Sequence, residues 1–117
     1  MQSVTSNAVA SALSWKLIGE KTGFNQNIPF NPSNYNEVIF IANIVPSESV
    51  YITSQIIPTS YLANNKTFSM GYGGRLNTST PYGFRATVKY NNNNITLTQA
   101  VYDNADISGT KLTVYAR

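Results

Sequence analysis

The chain has 117 residues, a formal net charge of +3, 42% hydrophobic and only 11% charged residues, and neither cysteine nor histidine. That length suits one compact domain, and the missing residue types exclude disulfides, thiolate or imidazole metal sites and the Ser/His/Asp and Cys/His catalytic pairs. The eight cations stand singly along the chain, so a pI near 9.3 supplies no basic cluster for nucleic acid, and no nucleic-acid partner is expected.

The first element is a short helix. Thr5 or Ser6 can cap it, and the stretch NAVASALSW contains neither Gly nor Pro. Val9, Ala12 and Lys16 fall on one seam at 3,4 spacing, and Val4, Ala8, Ser11 and Trp15 on an adjoining one. A helix this short is marginal alone and must pack on something. Its small side chains suit either identical copies meeting on an axis or docking onto its own domain, and spacing does not separate the two. Residues 1–16 are therefore expected to form an N-terminal helix, and residues 17–117 a β domain.

After Gly23 the helical period disappears. Residues 24–36 carry two prolines among many asparagines and read as an ordered loop. NEVIFIANI, apolar on both faces, reads as a central strand. In SVYITSQII, Val50, Ile52 and Ile56 should share one face, and Tyr51, Thr53 and Gln55 the other. TFSMGY alternates Phe68, Met70 and Tyr72. YGFRATVKY has the cleanest period of two, with Tyr82, Phe84, Ala86, Val88 and Tyr90 inward and Arg85, Thr87 and Lys89 outward. Asn91 to Asn94 should turn it into ITLTQAVY as a hairpin, since asparagine tolerates positive φ. KLTVYA closes the chain. Six or seven short strands separated by turns predict an all-β fold: an antiparallel, jelly-roll-like β-sandwich preceded by the short N-terminal α-helix. The longest apolar run, Val38 to Val45, is too short to span a bilayer, and the start lacks a signal-peptide pattern, so a soluble protein without membrane insertion is expected.

The opening segment VTSNAVASAL, leading through a short alanine-rich helix to a Trp-initiated β domain, resembles the C-terminal modules of bacteriophage tail fibres and related virion appendages. The match is specific from Val4 to about Trp15 and general beyond. The resemblance implies a homotrimer at the junction of a shaft and a β-structured tip, with Val4, Ala8, Val9, Ala12 and Leu13 as interchain contacts. It also implies a place on the virion, an upstream fibre or baseplate protein as partner, and a host-surface glycan or protein as target.

Chemistry beyond binding has few carriers. The five carboxylates are Glu20, Glu37, Glu48, Asp103 and Asp106, and the last two lie in an expected turn that accounts for them. Two carboxyl groups suffice for a glycosidase, and some phage tips cut polysaccharide, but no pairing is visible in the sequence. DNAD lacks the alternating oxygen ligands of a calcium loop. No enzyme activity, cofactor or metal is expected. The strongest binding candidate is SMGYGGRLNTSTPYGFR, where Tyr72, Arg75, Asn77 and Tyr82 surround an expected Gly-Gly turn. Tyrosine offers a flat apolar face with a hydroxyl, and Arg and Asn offer planar donors, a set suited to sugars. The asparagine loop at 91–94 is a second exposed candidate. The sequence thus points to a receptor-binding tip module, with a purely structural trimeric cap or decoration protein as the alternative and a polysaccharide-degrading tip as a minor one.

Overall fold

Period-two alternation becomes two antiparallel sheets. A computed structural model describes residues 14–45, 50–75, 81–103 and 105–117, and of residues 45, 50, 72–75, 81 and 82 only the backbone. The first sheet runs β1 (Lys16–Thr22), β10 (Lys111–Ala116), β3 (Glu37–Val45), β4 (Val50–Thr53), with β5 (Ile57–Pro58) also on β3. The second runs β2 (Ile28–Pro29), β8 (Asn94–Tyr102), β7 (Pro81–Asn91), β6 (Lys66–Arg75), with β9 (Ala105–Asp106) on β8. Every pair is antiparallel. The only helical segments among the described residues are two 3-10 turns, Pro32–Asn34 and Thr59–Tyr61.

The sheets face each other across a core to which both contribute alternate residues. Val38, Phe40, Ala42 and Ile44 of β3 are buried against Phe84, Ala86, Val88 and Tyr90 of β7 and Leu112 and Val114 of β10. Phe40 meets Phe68 across the sandwich with ring centroids 5.8 Å apart and planes 59° apart, a tilted pair. Full burial of side chains such as Phe40 and Phe84 contributes about 1.5–3 kcal/mol each, which makes this layer the principal source of stability. The outer row of β3, Ile39 and Ile41, is only half-buried, so β3 is covered completely on one face and partly on the other.

Several expectations need correcting. KLIGEKT, given no strand by its pattern, forms β1, paired along β10 from Lys16↔Ala116 to Thr22↔Lys111. A bulge at Ile18 breaks its alternation, and three charged residues mask it as an edge strand. Lys16, placed on a helical seam, is thus already in a strand, and Trp15 has no regular structure. The rest of the expected helix, with Val4, Ala8, Val9, Ala12 and Leu13, lies outside the described residues. Ile56 is 48% exposed whereas Ile57 is buried, the reverse of the expected phase. The cause is Ser54: its hydroxyl accepts the Phe40 N–H at 2.9 Å and donates to the Gln55 carbonyl at 2.8 Å, interrupting the strand between β4 and β5. In β8 Thr98 is a bulge residue, so the inward row passes from Ile95 and Leu97 to Ala100. β7 follows its expected alternation at every described side chain from Phe84 to Tyr90.

Candidate functional site

The expected Gly-Gly turn is strand. β6 continues through Gly73 and Gly74, whose Cα partners are Gly83 and Tyr82, and ends with Arg75 opposite Pro81. Arg75 is therefore a strand residue, not a loop residue. Glycine next to glycine across the ladder leaves no side-chain crowding to end the pairing, and the connection is pushed to residues 76–80. Asn77 lies in that connection, outside the described residues. The ladder brings the backbones of Tyr72, Arg75 and Tyr82 to one end of the second sheet, with Tyr72 opposite Phe84.

A concave site lies at the other end of the 11-residue β7, roughly 33 Å away at a strand's rise per residue. Two-residue pairing of β2 with β8, Ile28↔Ile95 and Pro29↔Asn94, delivers the chain there. The Phe30 N–H then donates to the Asn93 carbonyl at 2.8 Å. Asn31 caps the following 3-10 turn: its Oδ1 accepts from the Ser33 N–H at 3.1 Å and from the Ser33 hydroxyl at 2.7 Å, with Pro32 at the first helical position. The turn returns the chain so that Tyr35 stacks on Phe30, centroids 5.3 Å apart and planes within 17°. The Thr59 hydroxyl holds the Tyr35 carbonyl at 2.7 Å.

These segments bound an open cleft of about 270 Å³. Its apolar floor is Phe30, Tyr35, Pro29 and Ile18, the last projected by the β1 bulge; Asn31, Asn34 and Asn93 form the rim. Asn93 sits in the β7–β8 turn, where Asn92 and Asn93 have φ of 48° and 60°, the left-handed pair of a two-residue hairpin. Its Oδ1 accepts from the Tyr90 hydroxyl at 3.0 Å. In both Asn31 and Asn93 the amide oxygen accepts within the protein, and the NH2 group is a donor available to a further partner. Among the described residues no Lys, Arg, Asp or Glu lines the cleft.

Three of the five carboxylates are engaged elsewhere; Asp106, expected in a turn, lies in β9 opposite Val101, and Glu48 lies outside the described residues. Glu20 pairs with Lys111 at 3.4 Å and accepts from the Thr113 hydroxyl; Glu37 pairs with Arg117 at 2.8 Å, and the Arg117 guanidinium lies 4.3 Å from the centre of the Trp15 ring. Asp103, at φ 49°, accepts the Gly83 N–H at 3.0 Å as a turn residue. Among the described residues no three Asp or Glu side chains gather as a metal site, and no helix is long and apolar enough to cross a membrane.

Of the sequence candidates, the asparagine loop reaches the cleft, through Asn93. Asn31, Asn34 and Tyr35 escaped because they read as loop residues; the usable signal was Asn-Pro, a turn initiator whose side chain caps its own turn. No protein-family model matches the chain, and no curated protein or solved structure matches it either.

Proposed function

We propose that the chain is a non-enzymatic receptor-binding tip module of a phage fibre, carried on the virion and directed at a host-surface glycan. The observation that carries this reading is the Tyr35 cleft, an aromatic floor with an uncharged amide rim. The separate engagement of Glu20 and Glu37 with cations supports binding over glycoside hydrolysis, which needs two facing carboxyl groups. The sandwich is read as jelly-roll-like: the chain alternates between sheets over β1, β2 and β3, and β10 returns between β1 and β3, although β6, β7 and β8 form a consecutive meander.

Assembly as a homotrimer through Val4, Ala8, Val9, Ala12 and Leu13 belongs to the same proposal. Support comes from the outer face of the first sheet, where Leu17, 55% exposed, pairs across to Tyr115, and Tyr115 to Ile39, leaving an apolar row on the strand that follows those residues. Three joined weak sites raise apparent affinity by roughly 10² or more.

Whole-cell binding and a glycan array test the function. Signal with the wild type that falls in Tyr35→Ala or in Tyr72→Ala/Arg75→Ala supports recognition and assigns the end of the molecule responsible. Silence across hosts and glycans overturns it in favour of a structural cap. Deleting residues 1–13 should lower the sedimenting mass from trimer to monomer; an unchanged profile would remove that segment from the assembly.

A further inference from the structure

We infer that the Tyr35 cleft is a subsite for one neutral pyranose ring, a ligand class that rests on the glycan reading above and narrows it. Size sets the first limit. About 270 Å³ lies just below the roughly 300–1,000 Å³ of pockets that enclose drug-sized ligands, so the cleft has room for one sugar ring and not for an extended chain.

Chemistry sets the second. A pyranose presents an apolar C–H face and an equatorial belt of hydroxyls. Tyr35 is backed by Phe30 in a near-parallel stack, so its plane is fixed before ligand arrives, and Pro29 and Ile18 extend the apolar floor. Asn31, Asn34 and Asn93 come from three separate places in the fold: a turn cap, the last residue of that turn, and a hairpin tip. The oxygens of Asn31 and Asn93 are taken by Ser33 and Tyr90, which locks both side chains and turns their NH2 groups into donors for sugar oxygens. Preorganised donors avoid the ordering cost that weakens binding by mobile side chains.

Charge sets the third. An acidic sugar held here would lose hydration without gaining a guanidinium or ammonium partner, because no cation among the described residues lines the cleft. The occupant is therefore an uncharged hexose or pentose ring, not a sialic or uronic acid. An open, single-ring site binds weakly and is useful only when several copies act together.

The full-length chain, labelled with 15N, would be titrated with methyl glucoside, methyl galactoside, methyl mannoside and, separately, with glucuronate and the methyl glycoside of sialic acid. The expected result is saturable shifts of the Asn31, Asn34 and Asn93 side-chain amide signals with at least one neutral sugar. Affinity should fall at least tenfold in Asn34→Ala, whose side chain makes no hydrogen bond within the described protein, and in Tyr35→Ala. Tyr35→Ala removes a partly buried ring and can unfold; Asn34→Ala, with an unchanged melting curve, keeps the test decisive. Saturable binding that maps to the β6–β7 hairpin overturns the subsite while leaving the glycan reading intact. Preferential binding of an acidic sugar at the cleft overturns its neutral character. No shift by any sugar at about 100 mM, where even a site with a Kd of about 1 mM is nearly full, overturns the subsite, and cell binding by the same sample then decides whether the receptor-binding reading falls with it.

Discussion

Replacing Asn93 tests the hairpin that forms one wall of the cleft. At φ 60° a residue bearing a Cβ other than Asn or Asp is disfavoured by about 1 kcal/mol. The Asn93 side chain also receives the Tyr90 hydroxyl at 3.0 Å, a bond with a net value of about 1 kcal/mol. Asn93→Ala loses both, for a destabilisation of about 2 kcal/mol, or roughly 8 °C in Tm for a chain of this size. Asn93→Gly loses the hydrogen bond but takes the left-handed conformation freely, so its cost stays at about 1 kcal/mol or below. Tyr90→Phe removes the same bond from the donor side, and the Tyr90→Phe/Asn93→Ala cycle should show a coupling of about 1 kcal/mol. The Asn93 carbonyl keeps its bond from the Phe30 N–H in every variant, so the cleft backbone is preserved. Urea unfolding followed by circular dichroism measures the wild type and all four variants. Asn93→Ala as stable as Asn93→Gly, or a cycle without coupling, would refute the assignment of the strain and of the bond.

Other substitutions probe the frame. Gly71→Ala would place its Cβ against the Phe84 carbonyl oxygen and 3.0 Å from the Arg85 Cα. It should destabilise by about 1–3 kcal/mol where Gly→Ala at a compatible site stabilises; a raised Tm would show that β6 yields. Ser54→Ala leaves the Phe40 N–H without its acceptor and should cost about 1–2 kcal/mol by chemical denaturation; no loss would show that water replaces the hydroxyl. Thr110→Val removes the fully buried hydroxyl that donates to the Ile107 carbonyl at 2.8 Å. It should lower stability by about 1 kcal/mol, and a neutral result in thermal unfolding would reduce that bond to geometry alone.

What the sequence discloses depends on how local the cause is. β7 and its hairpin were legible because Phe84 to Tyr90 alternate without interruption and the asparagines that follow adopt positive φ themselves. β1 was illegible because its single bulge shifts Ile18 and Gly19 out of phase and its partner lies at the far end of the chain. Ile56 and Ile57 exchanged roles through one serine that bonds to a strand 14 residues earlier. The cleft is less local still: Ile18, Tyr35 and Asn93 meet only because β2 pairs with β8 beside β1, and no spacing rule brings such residues together. Of the Tyr72, Arg75, Asn77 and Tyr82 group, sequence proximity captured a shared hairpin, and the ladder then moved Arg75 from loop to strand.

Lys16 faces Ala116 at the same end of the sandwich as the cleft, with Arg117 bonded back to Glu37 and lying over Trp15. Anything attached at the C-terminus therefore sits near the cleft, while the Arg75–Pro81 end of β6 and β7 points the opposite way. Access becomes a question of tether geometry: a stiff, bulky neighbour shuts the entrance, and a slender one leaves it open from the side. A reporter tag fused to the C-terminus would test the doorway before it tested the site.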